Sequence, residues 1–136
     1  MRLLAIDYGE KRIGIAISDP LGLTAQPFEV VENNKSAISR IKQICEEKEV
    51  TKIIIGLPTT LGGKESFAVD KVRSFCLKLK GNVSVPIEEY DERFTTSIAQ
   101  KTMIAGDASR QTRKGSIDKI AAAVMLREYM DRVKPQ

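Results

Sequence analysis

The sequence contains no histidine. That removes the histidine-based nucleophile triads and the usual zinc sites, so any catalysis must come from carboxylates, hydroxyls, lysines or a bound hard cation. Cysteine is nearly absent as well, with two residues in the chain. Cys45 and Cys76 sit in separate apolar-periodic stretches and form no CxxC pair, which predicts buried, reduced thiols rather than a disulfide or a zinc site. Aromatic residues make up 5% of the chain, leaving base stacking a minor role in any nucleic-acid contact. No apolar run is long enough for a membrane span, and no charged-then-apolar leader precedes the first strand pattern. These absences predict a soluble cytoplasmic protein with no membrane partner.

What is present fits a single domain over residues 1–136, large enough to bury one core. The net charge of +4 is a moderate basic bias, compatible with a polyanionic partner. There are no internal repeats, low-complexity tracts or linkers, and only the last few residues read as a tail.

The other elements have to be fitted to the stretch from Leu3 to Asp19. Leu3, Leu4, Ala5 and Ile6 are apolar on both faces of an extended chain, the pattern of a central strand covered on two sides, and Asp7 follows at its end. Tyr8 to Lys11 form a turn in which Gly9 can supply a positive φ. Arg12 to Ser18 then alternate, with Ile13, Ile15 and Ile17 on one face and Arg12, Gly14, Ala16 and Ser18 on the other. The small residues of the second face allow a helix or a ligand to approach closely.

After the turn at Asp19 to Gly22, Thr24 to Val31 predict a third strand that completes an antiparallel meander. From Asn34 the period becomes helical through Glu49, with Asn33 or Asn34 as N-cap. Val50 to Ile55 form a strand parallel to the first, and Thr59 to Lys64 a loop at its end. A helix from about Glu65 to Lys80 stops at Gly81-Asn82 and leads to a fifth strand, Val83 to Tyr90. Thr95 or Thr96 caps a helix to about Ala105. Asp107 to Gly115 read as a polar, basic loop, and Ser116 caps a last helix to about Arg132. The order predicts an α/β protein with a mixed five-stranded sheet, three strands antiparallel and two parallel, and helices on both faces. The ribonuclease H-like fold is the economical choice.

In that fold the first strand and the parallel strands end along one edge. The acids nearest such ends are Asp7 and the pair Asp91 and Glu92, and Asp118 near the start of the last helix is a third candidate. Converging carboxylates repel unless a cation separates them, and without imidazole the natural occupant is Mg²⁺ or Mn²⁺. Two such ions about 4 Å apart clamp a phosphodiester. Each acid also has a plainer role: Asp7 as a turn residue, Asp118 as a helix N-terminal acid, Asp91 and Glu92 as partners of Arg93. Lys101, Arg110, Arg113, Lys114 and Lys119 cluster around the approach to Asp118, where they can hold backbone phosphates or simply face solvent.

Four motifs, DYGEKRIGIAISD from Asp7, IIIGLP from Ile53, DERFTT from Asp91 and KGSIDKIAAAVML from Lys114, resemble those of the YqgF or RuvX family in order and spacing across nearly the whole chain. The resemblance implies a ribonuclease H-like nuclease, related to the RuvC junction resolvases, that matures the 5′ end of the small-subunit ribosomal RNA precursor. It further implies Asp7, Glu92 and Asp118 as catalytic, metal-binding acids, with Glu92 ahead of Asp91, and two Mg²⁺ or Mn²⁺ ions. Arg12, Arg93, Arg110, Arg113 and Lys114 become substrate-binding residues. The expected partners are structured RNA or branched DNA and a ribosomal or ribosome-assembly factor, with the protein a monomer or weak homodimer. A DNA junction resolvase and a non-catalytic nucleic-acid-binding module are the competing functions; the former needs a symmetric dimer to cut both strands. The DxGxxxxG pattern at Asp7 to Gly14 also resembles the phosphate loop of two-domain ATPases, for which this chain is too short.

Overall fold

The computed structural model describes residues 2–57, 67–91 and 110–133. Strands β1 (Arg2–Asp7), β2 (Arg12–Ser18) and β3 (Ala25–Glu32) are followed by helix α1 (Ala37–Glu47), strand β4 (Val50–Leu57), helix α2 (Phe67–Lys80), strand β5 (Ile87–Asp91) and helix α3 (Arg110–Val133). The five strands form one sheet in the order β3-β2-β1-β4-β5. β1, β2 and β3 pair antiparallel, whereas β4 runs parallel to β1 and β5 parallel to β4. This is the mixed sheet expected from the order of elements.

β1 and β4 are central because their side chains are apolar in both directions. Leu4 and Ile6 of β1, Ile13, Ile15 and Ile17 of β2, and Ile53 and Ile55 of β4 pack on one face against Ile41 and Ile44 of α1 and Val72, Phe75 and Leu79 of α2. Leu3, Ala5, Ala16, Ile54 and Tyr90 pack on the other face against Ala122, Met125, Leu126 and Tyr129 of α3. Burying a side chain of this size contributes roughly 1.5–3 kcal/mol, so both layers hold the sheet. The second layer is built of smaller residues. Ala121, Ala122 and Ala123 are all buried, which lets α3 lie close to the sheet as their small size suggested.

Several local expectations shift. The first helix starts at Ala37, and its N-cap is Ser36, whose side chain makes no capping hydrogen bond. Asn34 acts one step earlier, its Oδ1 accepting from the Ser36 amide at 2.9 Å in an Asx turn. Gly9 has no positive φ; among the described residues the left-handed glycine is Gly22, at φ 72°. Gly9 is required for a different reason, because a Cβ there would come within 2.4 Å of the Arg12 carbonyl oxygen.

The last helix begins at Arg110, so Arg110 to Gly115 are its first turns rather than a loop. Their arginine, glutamine and lysine residues favour helix well enough to carry Gly115, which costs about 1 kcal/mol relative to alanine. The loop expected over residues 59–64 and the helix expected over residues 95–105 lie outside the described residues. No described helix is long and apolar enough to cross a membrane.

Candidate active site

Asp7 is the last residue of β1 and pairs in register with Gly14 of β2. On the other side Ile6 is level with Ile55 of β4, which puts Gly56 next to Asp7. Along β1 the side chains alternate, so Asp7 follows Leu3 and Ala5 onto the face covered by α3. Half-buried Asp7 therefore stands between two glycines, which place no side chain directly beside it.

β4 continues the edge toward β5, with Gly56 paired to Tyr90 and Leu57 to Asp91. Neighbouring strands lie about 4.8 Å apart, so the backbones of β1 and β5 are roughly 10 Å apart across β4. Glu88 and Tyr90 alternate onto the α3 face, while Ile87 shares the α1 and α2 face. Asp91 has the parity of Ile87 along the strand. Arg12, at the start of β2, has the parity of Gly14 and Ala16 and lies about 7 Å beyond Gly14, on the same face as Asp7.

The turn that carries Asp7 into β2 is held from two sides. Asn33 donates through Nδ2 to the Gly9 carbonyl at 2.8 Å, and its amide donates to the Lys11 carbonyl at 2.9 Å. Lys71 of α2 donates to Glu10 at 2.5 Å. That hydrogen bond and its charge hold the Glu10 carboxyl below the usual range and the Lys71 ammonium above its own. The sequence suggests Asn33 only as a helix cap. Nothing local signals its bond to Gly9, since the two residues meet only when β3 pairs alongside β2.

α3 is fastened at its C-terminal half. Lys52 of β4 donates to the Tyr129 hydroxyl at 2.9 Å, and that hydroxyl donates to Glu88 of β5 at 3.2 Å. Lys52 also pairs with Glu88 at 2.6 Å, and the two partners raise the Lys52 pKa, Glu88 most. The Tyr129 ring meets Tyr90 edge-on at 5.6 Å.

Of the expected site residues, Asp7 and Arg12 share one face at the same sheet edge. Arg110, Arg113, Lys114 and Asp118 belong to the first half of α3 by backbone. Glu92 and Arg93 lie outside the described residues. Among the described residues no three acidic, cysteine or histidine side chains gather at one point. The two cysteines are free and buried; loss of hydration pushes the Cys45 thiol up to about 11, so it supplies no nucleophile near neutral pH.

Known proteins share both the sequence and the architecture. A protein of Clostridium acetobutylicum named "Putative pre-16S rRNA nuclease" is 43% identical over 135 residues, covering 98% of this chain and 100% of its own. One of the same name from Clostridium tetani is 46% identical, covering 98% of each. Among solved structures, Thermus thermophilus RuvC in complex with a Holliday junction substrate is 15% identical with a TM-score of 0.60, over 98% of this chain and 96% of its own. The fowlpox virus Holliday junction resolvase is 18% identical with a TM-score of 0.54, over 98% and 100%. At these identities the likeness is one of fold, and RuvC carries the ribonuclease H-like fold expected from the order of strands and helices. The family profile described as RuvX, Holliday junction resolvase, matches residues 1–132, and with relatives above 40% identical over nearly their full length the chain belongs to the RuvX family.

Proposed function

We propose that this protein is a single-domain, metal-dependent endonuclease that processes the 5′ end of the pre-16S ribosomal RNA. The observation that carries the reading is Asp7, set between Gly14 and Gly56 where the central parallel strands end. The names of the relatives supply the substrate.

Asp7, Glu92 and Asp118 are the acids assigned to hold Mg²⁺ or Mn²⁺. Their oxygen donors, with no histidine in the chain, suit a hard cation. Once bound, such ions lower the pKa of an attacking water and neutralise charge on the leaving oxygen. One feature supports this acid set. Positions 118, 122, 125 and 129 repeat at the spacing of one helix face, whose described members Ala122, Met125 and Tyr129 pack on the sheet.

Asp7 orients the site from the rigid end of β1, while Arg12 on the same face positions the scissile phosphate. Arg110, Arg113 and Lys114 recur at spacings of three and four along the helical backbone of α3. With Arg93 they are assigned to flanking phosphates.

A second reading, a DNA junction resolvase, draws on the family description and on the likeness to RuvC. The test is cleavage of matched structured RNA and four-way DNA junctions by the purified protein with Mg²⁺, Mn²⁺ or EDTA. Metal-dependent cutting of the RNA is expected. Paired symmetric nicks in the junction would favour the resolvase, and binding of both without cutting under any metal would leave a non-catalytic module.

A further inference from the structure

A cleft of about 580 Å³ opens on the opposite side of the same sheet edge, between the β1–β2 turn, the segment entering α1, and α2. Lys35, Lys71 and Lys78 stand around it, opposed by one carboxylate, Asp70. Lys71 is engaged with Glu10, but Lys35 and Lys78 have no ion-pair partner among the described residues. The first turn of α1 adds no acid to the wall. The floor is apolar and aromatic. Tyr8 and Phe75 bring their rings to 5.0 Å at an angle of 49°, and Tyr8 is half-buried where it lines the cleft.

Tyr8 directly follows Asp7. Consecutive Cα atoms are about 3.8 Å apart, and the two side chains leave the strand on opposite faces. A polynucleotide that wraps over the end of β1 with its scissile phosphate at Asp7 can carry its next nucleotides to the cleft. A cationic rim above an aromatic floor is the arrangement that holds single strands, phosphates on the lysines and a base on the ring. An acidic peptide would satisfy the lysines but has no use for the ring or for the position beside Asp7.

We propose that this cleft binds the single-stranded nucleotides flanking the scissile phosphate, with Lys35 and Lys78 on the phosphates and Tyr8 against a base. The proposal rests on the nuclease reading, and it predicts a preference for structured RNA that carries a single-stranded extension.

The test uses the full chain in EDTA and two fluorescent RNA hairpins, one blunt and one with an extension of roughly 8 nucleotides. Anisotropy titrations over a salt series read affinity and salt slope. The extension is expected to tighten binding of the unaltered protein about tenfold. Lys35→Ala with Lys78→Ala should abolish that gain and reduce the salt slope by about 1.4, while Lys35→Arg with Lys78→Arg retains it. An unchanged slope and an undiminished gain in the double alanine variant would overturn the proposal. Cleavage of the same RNAs with Mg²⁺ or Mn²⁺ separates the two claims. Asp7-dependent cutting with no gain from the extension sinks the cleft and leaves the nuclease. Lysine-dependent binding with no cutting does the reverse.

Discussion

Asn33 and Gly9 are joined by a 2.8 Å hydrogen bond from the Asn33 side chain to the Gly9 carbonyl, which ties the end of β3 to the turn immediately after Asp7. A candidate catalytic carboxylate at a strand end is only as well placed as the turn that follows it. Here that turn is fixed by a strand two positions away in the sheet.

Asn33→Ala should therefore lower both stability and cleavage. Loss of one partly buried hydrogen bond costs about 1 kcal/mol, or a fall in Tm of about 3 °C for a domain of this size. Thermal unfolding and single-turnover cleavage check this together. A normal Tm with impaired cleavage would show that the bond positions Asp7 without stabilising the fold.

Gly9→Ala is expected to be the harsher change. The new methyl would meet the Arg12 carbonyl oxygen at 2.4 Å, so the turn must move, at a cost of about 1–3 kcal/mol. Urea denaturation gives the stability change. A variant as stable as the original would mean that the turn yields easily and that Asn33 does not fix it.

Stability should fall in acid through Glu29. Arg40 donates to both carboxylate oxygens, Nε at 2.8 Å and Nη2 at 2.6 Å, and this pairing sets the Glu29 pKa below its ordinary 4.5. The folded state thus binds this proton less readily than the unfolded one. Its contribution is fully present above about pH 4.5 and is lost as the pH falls through the lowered value. Denaturation midpoints between pH 2 and 7 should show that loss, and Glu29→Gln should remove this part of the pH dependence.

The central architecture is legible in the sequence because it follows from side-chain alternation. Leu3 to Ile6, apolar in both directions, read as a strand covered twice, and the small residues of β2 and α3 mark the closely packed second face. The same alternation places Asp7 with α3. What escaped was set by contacts distant in sequence or by choices nearly equal in energy. Asn33 reads as a cap until β3 lies beside the β1–β2 turn. Gly9 reads as the left-handed residue of its turn, whereas the positive φ falls on Gly22. Arg110 to Gly115, polar and ending in glycine, read as loop although their intrinsic preference suffices to extend α3. Of the three proposed acids, the sequence supplied the identities and the sheet supplied a place for Asp7.

The measurement that tests the proposed site most directly is the single-turnover rate of RNA cleavage, with Mg²⁺, by Asp7→Asn, Asp91→Asn, Glu92→Gln and Asp118→Asn beside the unaltered protein. Asp7→Asn, Glu92→Gln and Asp118→Asn should each slow cleavage by at least about 100-fold, with RNA binding kept or strengthened because a negative charge is lost. Asp91→Asn should stay within a few-fold of the unaltered rate. Cleavage by Asp7→Asn at the original rate would contradict a metal-dependent site at the end of β1.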